Sequence, residues 1–146
     1  NDAIGYFPYL SEREEKTWAL WCYITGTMLE LGGDLPHANQ KRLRDLKPLL
    51  NNPINGSSCE LLSESYFWDE KFPVILYNKT YNILGIFNWD KNENFAGEID
   101  ISILPITGKV QEIREFWTGK RVLPEKKHIH YNLSPFGSRV WRIIVQ

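Results

Sequence analysis

The first 26 residues carry a pattern of polar and apolar positions that predicts a helix. Ser11 and Glu14 have the spacing of a capping box, in which each side chain accepts from the backbone N–H of the other residue. From Trp18 to Ile24 apolar residues lie on nearly every side, and Gly26 follows as a stop signal. Such a helix leaves much apolar surface in water unless several neighbours cover it, so we predict that it packs on more than one face.

A short α/β pattern follows this helix. Residues 28–31 favour an extended segment, and residues 32–36 form a glycine turn after it. A second helix is predicted over about residues 38–47, closed by Pro48 and Pro53, with three leucines on one face: Leu43, Leu46 and Leu50. Helix, short strand and glycine turn are the order of an α/β unit, which we assign to residues 1–55.

The remainder of the chain, residues 56–146, reads as short strands separated by turn residues. The predicted strands are 59–67, 73–77, 82–89, 95–103, 109–117, 128–133 and 138–145. Strict alternation in Glu98–Ile103 places the isoleucines inward, and Arg139–Ile143 alternates in the same way. The predicted fold class is therefore mainly β, an antiparallel Greek-key β-sandwich preceded by a helical segment.

Length and charge exclude several classes of protein. A chain of 146 residues is too short for a complete (β/α)8 barrel of about 250 residues. The 17 basic and 18 acidic residues give a net charge of −1, and the densest basic run, Lys126-Lys127-His128, reads as a solvated turn, so no nucleic-acid partner is expected. No apolar stretch reaches the roughly 18–20 residues that span a bilayer, so no membrane partner is expected. The first residues read as the middle of a longer sequence, and we expect a processed, truncated or subcloned piece.

Candidate metal and thiol chemistry is sparse. Cys22 and Cys59 form neither a metal motif nor a disulfide framework, and we expect buried free thiols, which favour a reducing, cytoplasmic compartment. His128 and His130 face the same side of a predicted strand, but no third ligand is evident. We therefore expect no metal and no cofactor.

Several motifs, taken in order, resemble the C-terminal end of α-galactosidases of glycoside hydrolase families twenty-seven and thirty-six, in the melibiase clan. Residues 10–35 resemble the seventh barrel helix, the eighth strand and the loop after it. Three later segments resemble the C-terminal sandwich: Leu84–Trp89, Glu115–Lys120 and Leu133–Val140. Residues 1–55 would then be the helical remnant of a (β/α)8 barrel.

The resemblance implies retaining glycoside hydrolysis, which is carried out by two carboxylates about 5–5.5 Å apart. In the family these lie on earlier barrel strands, upstream of Asn1, so no catalytic residue is assigned here and the isolated chain is predicted to be inactive. Carbohydrate substrate would be bound through the missing barrel. Asp2 and Asp34 are the two candidate substrate-binding residues. The alternatives are a frayed terminal position for Asp2 and a helix cap or turn former for Asp34.

Two other functions stay open at this point. The six tryptophans suit a carbohydrate-binding β-sandwich module, although most of them, including Trp89, Trp117 and Trp141, are expected in the core, with Trp68 as the exception. Equivalent sandwiches also end α-glucosidase-like enzymes. The helix at residues 11–25 would expose Trp18, Leu20, Trp21 or Ile24 in this chain, which predicts self-association through that helix.

Overall fold

The computed structural model describes residues 3–5, 10–26, 30–32, 39–51, 54, 59–62, 73–122 and 128–146. The helices are α1 (Glu12–Thr25) and α2 (Gln40–Asn51). The strands are β1 (Ala3–Gly5), β2 (Glu30–Gly32), β3 (Cys59–Leu61), β4 (Val74–Asn78), β5 (Ile83–Phe87), β6 (Phe95–Asp100), β7 (Val110–Glu115), β8 (Arg121–Val122), β9 (His128–Leu133) and β10 (Ser138–Val145).

The N-terminal part forms a parallel β-α-β unit. β1 pairs with β2 in parallel, with Ala3 opposite Glu30 and Gly5 opposite Gly32, and α1 connects them. The predicted capping box is present, because the Ser11 hydroxyl accepts from the N–H of Glu14 and the Glu14 carboxylate accepts from the N–H of Ser11. Gly26 ends α1 in the left-handed conformation with φ of 68°. The structure thus contains the predicted helix and the short strand after it, and a further strand, β1, before the helix.

The C-terminal part consists of two antiparallel sheets. Six strands follow the order β3-β4-β5-β10-β7-β8, and β6 pairs with β9 in the second sheet. The last strand, β10, lies between β5 and β7, so neighbours in the sheet are not neighbours along the chain. Non-sequential antiparallel pairing of this kind arises from Greek-key connections, and it confirms the predicted mainly β sandwich.

The six-stranded sheet is buried on both faces. On one face Ile83 and Phe87 of β5 pack with α1, and on the other Leu84 and Ile86 pack with residues of β6 and β9. All five residues of β5 are buried, as expected of a strand covered on both sides. The molecule therefore has three layers in this region: helix, six-stranded sheet and two-stranded sheet.

Burial of α1 differs from the sequence expectation. Leu20 and Ile24 are fully buried against the sheet of the same chain, and Trp21 is half-buried, whereas Trp18 is 39% exposed. Glu15, the residue after the capping box, is buried as well. The sandwich itself covers most of the apolar helix surface, so the predicted exposure was wrong for Leu20 and Ile24; self-association through the helix stays a prediction.

Two predicted element ends were also wrong. β6 ends at Asp100, whose carboxylate accepts from the N–H of Ser102 at 2.8 Å and starts a 3₁₀ turn, so Ile103 is 61% exposed instead of buried. α2 continues through Pro48 to Asn51, although the proline nitrogen has no proton to donate to the helix. Leu46 is buried and Leu43 half-buried, as predicted, but the buried face continues with Leu49 instead of Leu50, which is 40% exposed.

Neither described helix is long and apolar enough to cross a membrane. Cys22 is buried and Cys59 is half-buried, and both are free thiols.

Candidate functional site

The two predicted substrate-binding residues, Asp2 and Asp34, lie outside the described residues, so both stay predictions. The order along the chain nevertheless separates them. Asp2 comes before the amino end of β1, whereas Asp34 comes two residues after Gly32, the carboxyl end of β2. Ligands of parallel β/α folds bind at the carboxyl ends of the strands. By sequence position alone, Asp34 follows the carboxyl end of a described strand and Asp2 does not.

Carboxylates of the described residues are engaged in structural contacts. Glu12 accepts from Lys41 at 2.7 Å and from Lys16 at 3.1 Å, and these two ammonium groups hold its pKa at about 2. The pKa of Glu14 is lowered by its bonds to Ser11, and that of Asp90 by the backbone N–H groups of Asn92 and Glu93. A general acid for glycoside hydrolysis needs a raised pKa, and these residues have the opposite shift.

The carboxylates and histidines of β6 and β9 lie on the outer face of the second sheet. Glu98 is opposite His130, with 3.4 Å between Oε2 and Nδ1, and Asp100 is opposite His128. Both histidines are exposed, and they lie on the same face of β9, as predicted from their spacing. Within the part of the chain that the structure describes, no group of three or more such residues could hold a metal ion.

The segment Glu115–Lys120, one of the family-like motifs, is a structural turn. Glu115 is buried, and its Oε2 accepts from the backbone N–H of Thr118 at 2.6 Å and from the Thr118 hydroxyl. Gly119 follows with φ of 66°, a conformation that favours glycine, and its N–H donates to the Glu115 carbonyl at 3.0 Å. The motif therefore serves to hold Trp117 in place at the end of β7.

A second structural network links the other two sandwich motifs. Asn88 is fully buried, and its amide donates to the carbonyls of Glu93 at 2.8 Å and Ser134 at 3.0 Å. Its backbone N–H donates to the carbonyl of Gly137 at 2.8 Å. Thr17 of α1 reaches the same turn, because its hydroxyl donates to the Phe136 carbonyl at 2.7 Å. The helix, the end of β5 and the start of β10 are thereby fastened together.

A cleft opens beside this network, between the first turns of α1 and the sandwich. Its volume is about 170 Å³. The residues that matter for its chemistry are Arg13, Lys16, Trp117, Asn132, Ser138 and Arg139. Trp117, predicted for the core, is only half-buried and forms part of the wall, whereas Trp89 and Trp141 are buried as predicted and Trp68 lies outside the described residues. The sequence did not reveal this cleft, because its walls come from four segments that are separate along the chain.

Comparison with known proteins identifies the fold. No protein-family model and no curated protein matches the sequence. Among solved structures, a Bacillus halodurans protein assigned as an α-N-acetylgalactosaminidase matches with a TM-score of 0.73 and 15% identity over 96% of this chain and 34% of its own. A family 27 β-L-arabinopyranosidase from Geobacillus stearothermophilus matches with a TM-score of 0.71 and 14% identity, over 92% of this chain and 31% of its own. α-Galactosidase I from Mortierella vinacea matches with a TM-score of 0.66 and 11% identity, over 95% of this chain and 37% of its own.

The chain thus spans about a third of the length of these three glycoside hydrolases. At such low identity the match shows a common fold, and it is the fold expected from the family-like motifs. The matches cover between 92% and 96% of this chain.

Proposed function

We propose that this chain is the C-terminal part of a retaining glycoside hydrolase of the α-galactosidase type, acting on terminal α-galactosides. The observation that carries the proposal is the packing of α1. Leu20 and Ile24 of that helix are buried in the same core as Ile83 and Phe87 of the sheet. In this proposal α1 is a helix of the barrel, and because its buried face packs on the sandwich, it joins the barrel to the sandwich.

The chain's own role in this proposal is support. Glu12, Glu14, Asp90 and Glu112 all have lowered pKa values, with Glu112 held by the guanidinium of Arg114. They suit ion pairs and caps better than proton transfer to a leaving group. The nucleophile and the acid are therefore expected on barrel strands outside this sequence.

The proposal is tested by comparing the 146-residue chain with the complete protein encoded by the same gene. Both are assayed on nitrophenyl α-galactoside, and on nitrophenyl α-N-acetylgalactosaminide and β-L-arabinopyranoside because the three structural neighbours differ in their substrates. We expect the complete protein to hydrolyse the α-galactoside fastest and the isolated chain to hydrolyse none. Activity of the isolated chain, or inactivity of the complete protein on all three, would contradict the proposal.

Asp34 provides a sharper test within the complete protein. If it contacts the sugar, Asp34→Asn should lower kcat/KM by about tenfold or more, which corresponds to about 1.4 kcal/mol of transition-state stabilisation. Asp90→Asn is the matched control, because Asp90 only caps the backbone of an exposed turn. Equal effects of the two substitutions would remove Asp34 from the substrate site.

A further inference from the structure

The cleft between α1 and the sandwich has the features of a small binding site. It is bounded by the first turns of α1, by Trp117 after β7, by the end of β9 and by the start of β10. At about 170 Å³ it lies below the roughly 300–1,000 Å³ of pockets for drug-sized ligands. A ligand of this volume has the size of one small ring.

The charge of the cleft is one-sided. Among the described residues that line it, Arg13, Lys16 and Arg139 are cationic and none is acidic. The Lys16 ammonium is held by Glu12 at 3.1 Å and by Asp45 at 3.0 Å, both outside the lining. The arginines are less engaged: Arg13 donates to the Pro135 carbonyl at 3.3 Å, and the Arg139 guanidinium lies 3.9 Å from the Glu115 carboxylate.

Each guanidinium carries five N–H donors in a planar fork, a geometry that matches the two oxygens of a carboxylate. Arg13 extends from the helix and Arg139 from β10, so an anionic group in the cleft can be approached from both walls. Asn132 and Ser138 add an amide and a hydroxyl, which can donate to or accept from ligand hydroxyls.

Trp117 supplies the apolar part of the wall. Phe116 makes an edge contact with its ring, with 5.2 Å between the ring centroids, and the Lys16 ammonium lies over the ring, 5.8 Å from its centroid. The Glu115–Thr118 bonds lock the turn that carries it. A rigid indole next to hydrogen-bonding groups suits a ligand with one apolar surface and several hydroxyls, which describes a pyranose ring.

We propose that this cleft binds a single pyranose unit that carries a carboxylate, that is, a uronic acid residue of a saccharide. The carboxylate is held by Arg13 and Arg139, and the ring lies against Trp117. The choice of a sugar among ligands with an acidic group rests on the proposed glycosidase function. The cationic charge and the apolar wall of the cleft are observed independently of that function.

The test is a titration of the 146-residue chain by calorimetry and by two-dimensional NMR at low salt. The probes are D-galacturonate, D-galactose and inorganic phosphate; the first two differ only in the oxidation state of C6. We expect saturable binding of galacturonate, with shifts of the Trp117 indole and Arg139 signals, and binding at least about tenfold weaker for galactose and for phosphate. Added salt should weaken the binding of galacturonate.

Variants locate the site. Arg139→Gln should weaken galacturonate binding by about tenfold or more, because a charge-assisted pair is lost. Arg114→Gln is the matched control, since its side chain is 45% exposed against 47% for Arg139 and pairs with Glu112 away from the cleft. Trp117→Phe should weaken binding severalfold while keeping an aromatic core contact. Circular dichroism shows whether each variant is folded.

Each other outcome overturns the proposal in a defined way. Equal affinity for galactose removes the carboxylate requirement, and equal affinity for phosphate leaves an anion site without sugar recognition. An equal loss in Arg114→Gln places the binding elsewhere, and no binding of any probe removes the site altogether. None of these results bears on hydrolysis by the complete protein, so the glycosidase proposal is judged separately.

Discussion

Gly85 of β5 faces α1 at close range, and a single added methyl group there tests the packing of helix and sheet. A Cβ at Gly85 would lie 2.7 Å from Cδ1 of Ile24 in α1 and 2.7 Å from Cε2 of Phe87 in the same strand. Neither neighbour can move away easily, since both are fully buried. Gly85→Ala must therefore shift α1 or force a side chain out of its rotamer.

The magnitude follows from two opposing effects. Overpacking of a filled core costs about 1–3 kcal/mol. Alanine in place of glycine in a strand recovers about 0.5–1 kcal/mol through lower entropy of the unfolded chain. We expect Gly85→Ala to lower the free energy of unfolding by about 1–2 kcal/mol. Gly97→Ala is the control: its Cβ would meet the hydroxyl end of Tyr131, a half-buried side chain that can swing aside, and it should cost less.

A double-mutant cycle attributes the cost to the helix. Ile24→Val removes the Cδ1 atom and alone costs about 0.5–1.5 kcal/mol. In the Gly85→Ala background the same change relieves one of the two close contacts, so it should cost clearly less or stabilise the protein. Urea unfolding followed by circular dichroism gives the four values. Additivity of the two changes within about 0.5 kcal/mol would refute the close packing of α1 on β5.

Three further predictions concern the turns and the titrating groups. Asn88→Ala should lower the free energy of unfolding by more than about 2 kcal/mol in urea, because a fully buried side chain and its two hydrogen bonds to backbone carbonyls are lost, whereas Asn92→Ala in the exposed turn should change it little. The pKa of Glu12 falls from 4.5 to about 2 on folding, so the stabilisation that it contributes is complete above pH 4.5 and is lost as pH falls towards 2; Glu12→Gln should lose it, measured by unfolding at pH 2 and 6. Burial raises the pKa of the Cys59 thiol to about 11, so its alkylation in the folded chain should stay slow at pH 8 and become fast only near pH 11, followed by mass spectrometry.

Local signals in the sequence were sufficient for the helix start and for most strands. The Ser11 and Glu14 capping box and the Gly26 stop act within one turn of chain, so the residues that form them are visible in the sequence. The alternation in β9 reports burial on a sheet in the same direct way, whereas in β10 the adjacent Val140 and Trp141 are both buried, one on each face of the sheet. These features depend on neighbours along the chain.

One missed feature is local: Ile103 continues an alternating pattern, but the side chain of Asp100 bonds to the backbone of Ser102 and ends the strand. Other missed features depend on distant residues. The burial of Leu20 and Ile24 could not be assigned to this chain, because β5, which packs on α1, begins at Ile83, more than 50 residues later. The cleft at Trp117 is of the same kind, since its walls meet only after folding.

The family-like motifs turn out to describe a junction, and this limits what they can say about substrate. Asn88 fastens the turn after β5 to the turn before β10, Thr17 joins that turn to the helix, and Glu115 holds the turn beside it. These three contacts join parts of the chain to one another, and none of them involves a proposed substrate-binding residue. The structural neighbours share the fold with this chain and differ in the glycosides that their names give, so the fold alone does not identify a substrate. The Asp34→Asn variant therefore tests the proposed substrate site independently of this junction.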